Sequence, residues 1–147
     1  MEQQKSRSVV IKKFGGYDCL LVEDFNLPKL EEYIEVKVDY GGLNFADLYT
    51  RQGVMLNKKL PFVLGIECTG TITSVASATT GLSGLGLGYI PAEIQKLSKL
   101  FSKTSISQGI IIPKIYTVVP MSRIVEATKL LGNRENVGKV LIQMKGT

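Results

Sequence analysis

Histidine and tryptophan are absent from this 147-residue chain, and cysteine occurs only at Cys19 and Cys68. The lack of histidine removes the commonest general base and every Ser-His or Cys-His nucleophile pair. With two cysteines and no histidine, a four-ligand zinc site of the usual kinds cannot be assembled, and no metal is expected. Two cysteines do not make a disulfide framework. Both lie in apolar, strand-like surroundings, so both are expected as free, buried thiols in a reducing compartment. No stretch is apolar for the ~18 residues a membrane span needs. The first eight residues are polar and the apolar run behind them is short, which is not a secretory signal. The expected location is cytoplasmic. Charge of one sign is not concentrated either. Eighteen basic and 13 acidic residues leave a net charge of +5, spread as the pairs Lys12–Lys13 and Lys58–Lys59 and the spaced Lys96, Lys99 and Lys103. Without a long basic run or interleaved aromatics, no nucleic-acid partner is expected.

What is present suits one folded domain of α+β class. The hydrophobic fraction is 44% and the charged fraction 21%, ordinary for a globular protein. β-Branched residues mark a strand over Ser8–Lys13, Phe14-Gly15-Gly16 supplies a turn, and Tyr17–Val22 completes a hairpin. Tyr33–Tyr40 alternates, with Ile34, Val36 and Val38 on one face and Glu35, Lys37 and Asp39 on the other, so a strand with one wet face is predicted. Asn44–Gln52 reads as a short helix: Asn44 caps it, Asp47 stands three residues on, and Gly53 stops it. Phe45, Leu48 and Tyr49 are expected on a common face. An apolar strand follows over Gly65–Val75. Glu67 within it must face water or find a partner, either Arg51 or a lysine.

The character changes at Ala76–Gly88, a low-complexity connector with glycines at 81, 84, 86 and 88. Gly84-x-Gly86 is not followed by glycine at the dinucleotide-loop spacing, and no βαβ unit surrounds it, so it is read as a join rather than a phosphate loop. Beyond it, Ile90, Ile94, Leu97, Leu100 and Phe101 fall at helical spacing. Ile110–Val119 is expected as a strand. Ser122 is expected to cap a second helix with Ile124, Ala127, Leu130 and Leu131 on its apolar face, ended by Gly132. Gly138–Gln143 is the last predicted strand.

Three segments carry a resemblance. FGGYD (Phe14–Asp18), GLNFADLYTRQG (Gly42–Gly53) and GIECTG (Gly65–Gly70) occur in the order and near the spacing of the zinc-independent quinone oxidoreductases of the medium-chain dehydrogenase/reductase superfamily. The vesicle amine transport protein homologues are the branch most resembled. The tail from Ile111 to Ile142, with its Asn136-x-Gly138-Lys139 run, is similar to that family's closing segment. Zinc-dependent relatives have Gly-His-Glu where this chain has Gly65-Ile66-Glu67, which agrees with a zinc-free branch. The resemblance implies a GroES-like, partly open β-barrel with two or three helices. Its parts would be 1–76 and 89–147, with the Gly-rich join 77–88 standing where the family has a Rossmann domain. The closing strand should pair with the N-terminal half.

The resemblance also implies the chemistry. The family reaction is NADPH-dependent hydride transfer to a quinone or enone. The helix at Asn44–Arg51 would line the substrate pocket, with Asn44 and Asp47 as substrate-binding residues and Tyr49 and Arg51 as catalytic ones. Tyr49 would donate to the substrate oxygen, and Arg51 would stabilise developing negative charge. Equally, Asn44 and Asp47 can be a helix cap and Tyr49 a core residue. Lacking the nucleotide domain, this chain is expected not to bind NADPH by itself. The alternative function is a non-catalytic interaction module. It would form homo-oligomers through exposed sheet edges, or associate peripherally with membranes.

Overall fold

The computed structural model describes residues 5–27, 34–55, 59–75 and 112–144. Among these, the strands are β1 (Lys5–Ile11), β2 (Leu21–Asn26), β3 (Ile34–Gly42), β4 (Phe62–Val63), β5 (Cys68–Val75), β6 (Ile115–Pro120) and β7 (Lys139–Gln143). Two α-helices accompany them, α1 (Phe45–Arg51) and α2 (Ile124–Gly132). The strands form a three-stranded sheet in the order β2-β1-β4 and a four-stranded sheet in the order β5-β3-β7-β6. The α+β class is therefore as expected. The Gly-rich join and the helix expected near residues 90–103 lie outside the described residues.

β1 and β2 pair antiparallel from Lys5↔Asn26 to Val10↔Leu21, so the hairpin exists but its connection is longer than the sequence suggests. Tyr17–Cys19, expected as strand, is a 3-10 turn. Two forces favour this over pairing. Cys19 and Leu20 turn into the core at 1% and 6% exposure. The glycine pair upstream is tied to α1, where Gly15 N–H donates to the Arg51 carbonyl at 3.1 Å.

β3 runs antiparallel to β5 with register shifts at Glu35/Val36 and Val38/Tyr40. Val36 and Val38 are half-buried and Lys37 is exposed, as the alternation predicts, whereas Glu35 and Asp39, next to the register shifts, are half-buried rather than exposed. Gly70 of β5 lies so close to β3 that a Cβ there would stand 2.2 Å from the Lys37 carbonyl oxygen. Cys68, expected in the core, is exposed on β5, because the described residues of that strand are exposed or half-buried throughout. Cys19 is the buried free thiol.

The closing strand β7 pairs antiparallel with β3 (Tyr40↔Gln143 to Gly42↔Leu141) and parallel with β6 (Ile115↔Lys139 to Pro120↔Gln143). The tail thus returns to the N-terminal half, as expected. α2 packs below this ladder. Ile124, Ala127 and Leu131 are buried with Val9, Ile11, Leu20, Leu43, Leu48, Val140 and Ile142 in one core. Burial of this apolar face, rather than helix propensity, stabilises so short a helix. Ser122 does not cap it. Met121–Arg123 forms a 3-10 turn ahead of Ile124, and Met121 is drawn into the core at 5% exposure. The helix closes past Gly132: Arg134 takes the left-handed backbone at φ 59°, and its N–H donates to the Leu131 carbonyl at 3.1 Å.

Candidate functional site

The candidate residues from the sequence all lie on or next to α1, which leaves β3 after the Leu43 turn. Leu43 N–H donates to the Val140 carbonyl at 3.0 Å, so the helix starts from a fixed point on the sheet. Asp47 supplies its side of the expected capping box, accepting from the Asn44 N–H at 2.8 Å through Oδ2. Past the C-terminus, Gly53 adopts φ 78°, a conformation that costs glycine little.

The helix places the four candidates in four different environments. Asn44 belongs to a polar cluster. Its Oδ1 accepts from Lys139 Nζ at 2.7 Å, and the same ammonium pairs with Glu67 at 2.7 Å. The partner of Glu67 is therefore Lys139, the lysine alternative, and Glu67 is exposed rather than enclosed in its strand.

Asp47 is 1% exposed. Burial raises its carboxyl above the usual range, against the opposing effects of the Asn44 N–H and the Lys139 charge. Its Oδ1 has no hydrogen-bond partner, nor has the buried Thr50 Oγ1 one turn on. Both residues line a small cavity of about 30 Å³, closed by the Phe62–Ile66 segment.

Arg51 lies in the core at 3% exposure. Its guanidinium donates to the Gly15 carbonyl through Nη1 and stacks on the Tyr17 ring at 4.5 Å. It is not among the residues that line the larger cleft. Tyr49 is. With Phe45, Arg134 and Asn136 it borders a cleft of about 420 Å³, within the range of small-molecule sites. Phe45 and Tyr49 are 41% and 45% exposed. They share the outer face of α1, and Leu48, which was expected beside them, points inward. Arg134 stands over Phe45, 5.8 Å from the ring centroid.

Residues 31–86 match the alcohol dehydrogenase GroES-like domain family. The synaptic vesicle membrane protein VAT-1 homolog-like of Mus musculus is 34% identical over 82 residues, which is 54% of this chain and 20% of that protein. The NAD-dependent alcohol dehydrogenase of Sulfolobus acidocaldarius is 32% identical over 82 residues, 51% of this chain and 23% of that one. The solved human VAT-1 homolog-like protein shares the fold, with a TM-score of 0.75 over 97% of this chain and 99% of that chain at 14% identity. Over these matched parts the chain resembles the medium-chain dehydrogenase/reductase superfamily. It spans about a fifth of the length of these curated relatives.

The two described sheets thus have the GroES-like fold, and α1 borders the larger of the two cavities described above. Sequence reasoning located Tyr49 and the Asn44–Asp47 pair on this helix. It did not single out Thr50, Phe45 or Arg134, which line the two cavities. Thr50 and Phe45 sit inside the quoted motif, and only their position on the helix assigns them a role. Arg134 has no local signal, since Gly132 and Asn133 beside it are the more ordinary left-handed residues. Among the described residues no group of histidine, cysteine, aspartate and glutamate could hold a metal. Nor is any helix there long and apolar enough to cross a membrane.

Proposed function

We propose that this chain is the substrate-side domain of a quinone-oxidoreductase-like reductase of the zinc-independent branch, acting on a quinone or enone. The observation that carries the reading is the cleft between Phe45, Tyr49, Arg134 and Asn136. It opens on the helix that the motif resemblance assigns to substrate. An exposed aromatic pair gives a flat apolar surface for a conjugated ring. The Tyr49 hydroxyl is the donor for the substrate carbonyl oxygen, where negative charge collects as the conjugated system is reduced. Asn44 and Asp47 hold the first turn of α1, and through it the position of Tyr49. Arg51 contributes by fixing the same helix to the loop at Gly15.

The described residues do not fit NADPH on their own. α1 follows Gly41-Gly42 of β3, but neither α1 nor α2 is entered through the G-x-G-x-x-G turn that a pyrophosphate needs. The whole stretch between β5 and β6 is residues 76–114, whereas a single βαβ unit already takes about 30 residues and a dinucleotide fold needs several. Residues 1–76 and 89–147 are accordingly read as two parts of one GroES-like domain, with 77–88 as the join. No hydride step is assigned to this chain alone. A nucleotide-binding domain outside these residues would complete it.

A second function is favoured by one observation. Among the described residues β6 is an outer strand of its sheet, and Ile115, Tyr116 and Val118 on it are 53%, 43% and 45% exposed. Such an edge recruits other strands, which suits an oligomerising or peripherally membrane-associated module in the cytoplasm. The deciding experiment is a titration of the purified chain with NADPH, following intrinsic fluorescence and thermal midpoint together. A ligand of the native state must raise the midpoint. The proposal expects no shift at millimolar NADPH, together with saturable binding of a simple quinone that is lost in Tyr49→Ala. A saturable shift at micromolar NADPH would overturn the assignment of the nucleotide site to residues outside this chain's 147.

A further inference from the structure

The cleft that carries the proposed function also contains a cation that the family motifs do not name. We infer that Arg134 makes this cleft selective for planar ligands bearing an anionic group, with the aromatic part on Phe45 and Tyr49 and the anion on the guanidinium. The inference rests on the cleft being the ligand site.

Three observations support it. The first is position. Arg134 lines the cleft beside Phe45, Tyr49 and Asn136, and none of these four is a carboxylate, so among the described residues the lining carries one positive charge and no negative one. Asn136 adds no opposing charge. Its Nδ2 is engaged with the Gly138 carbonyl at 2.7 Å, which leaves its Oδ1 to face a donor on the ligand. The second is the stacking of Arg134 over Phe45 at 5.8 Å. An arginine held against an aromatic face keeps its donor edge free, and that planar edge matches a carboxylate, sulfonate or phosphate bidentately.

The third is the backbone. Arg134 is the one non-glycine residue with positive φ among the described residues. The two residues before it are Gly132 and Asn133, either of which takes the left-handed conformation more cheaply. A helix ending one residue earlier would have placed Asn133 there, and one ending two residues earlier Gly132. Instead the strained position falls to a residue whose side chain projects over the cleft, and strain of this kind tends to be retained at ligand-binding positions.

The same backbone angle supplies a clean test. Arg134→Gly removes the side chain at a position where glycine is unstrained, so the variant folds and its thermal midpoint does not fall below that of the parent chain. Arg134→Lys keeps the charge without the fork. Each protein is titrated by calorimetry with anthraquinone-2-sulfonate and with its neutral counterpart 2-(hydroxymethyl)anthraquinone. The parent chain is expected to bind the sulfonate about tenfold more tightly, the equivalent of one charge-assisted pair, and salt should erode that preference. Arg134→Gly should bind both ligands with the affinity the parent chain has for the neutral one. Arg134→Lys should fall between. Equal binding of the two ligands by the parent chain, or a preference that survives in Arg134→Gly, overturns the role of Arg134 and leaves the cleft as the substrate site. Failure of the parent chain to bind either ligand overturns both.

Discussion

Replacing Arg51 by methionine separates an anchoring role from a chemical one. Methionine preserves much of the buried aliphatic volume while removing the guanidinium. The substitution loses a charged donor to the Gly15 carbonyl, about 1.5–3 kcal/mol for a bond to a charged group. It also loses the stack on Tyr17 at 4.5 Å, about 1–2 kcal/mol at a desolvated site. Against this, Arg51 Nε is buried without a partner, and its removal returns about 1–3 kcal/mol. The expected net loss is about 2 kcal/mol, or roughly 4–8 °C in thermal midpoint for a chain of this size. Urea denaturation gives the stability change, and amide exchange gives its location. The Gly15 amide, which donates to the Arg51 carbonyl at 3.1 Å, should lose protection before the β3–β7 ladder does. Because Arg51 does not line the Phe45–Tyr49 cleft, ligand affinity measured well below the midpoint should stay within about twofold, under 0.5 kcal/mol. An unchanged urea midpoint together with lost ligand binding would refute the anchoring role.

Three further outcomes follow from the same geometry. The Asp47 carboxyl is raised in the folded state by burial, so the native protein binds more protons than the unfolded chain once pH exceeds the ordinary value of 3.8. Stability attributable to this group is greatest below that pH and declines as pH rises through the interval up to the folded pKa. Asp47→Asn should remove that slope in a urea–pH series, and a slope that persists unchanged would assign it to other carboxyls. Thr50→Val replaces an unpartnered buried hydroxyl with a methyl of similar shape and should stabilise by about 1 kcal/mol; a loss of that size in the same denaturation assay would mean that the hydroxyl is hydrogen-bonded in solution. Gly70→Ala puts a Cβ 2.2 Å from the Lys37 carbonyl oxygen, a clash with backbone that cannot swing aside. A cost of about 2 kcal/mol or more is expected, and a neutral effect on the urea midpoint would show that β3 and β5 separate easily there.

Helix α1 was the most legible element, because its start and stop signals are local chemistry: Asp47 reaches the Asn44 N–H, and Gly53 takes the positive φ. The inward face of α2 was legible for a similar reason, since Ile124, Ala127 and Leu131 repeat at helical spacing and each is buried. What failed depended on distant partners. Tyr17–Cys19 has the composition of a strand, but Arg51 captures the tyrosine ring and the core takes Cys19. Cys68 reads as core by composition, yet its strand is exposed. Ser122 is a good capping residue in isolation, but burial of Met121 tightens the preceding turn and moves the helix start to Ile124. The candidate site was half legible. Its helix and Tyr49 came from a contiguous motif. Arg134 and Lys139 reach α1 only through the return of the tail, a placement that neighbouring residues do not encode.

The place of β7 in its sheet bears on the order of assembly during synthesis. It lies between β3 and β6, so the four-stranded sheet cannot close until the chain has been made through Gln143. Until then β3 has β5 on one side only, and Tyr40–Gly42 wait for partners at 141–143. Pairing over so long a sequence interval is slow, and the waiting edge is open to other nascent chains on the same message. A ribosome paused before Lys139 would therefore hold a nascent chain with an unfinished sheet. Yield in a cell should depend on how quickly Lys139–Gln143 follows the rest of the sheet and on which chaperone meets the β3 edge first.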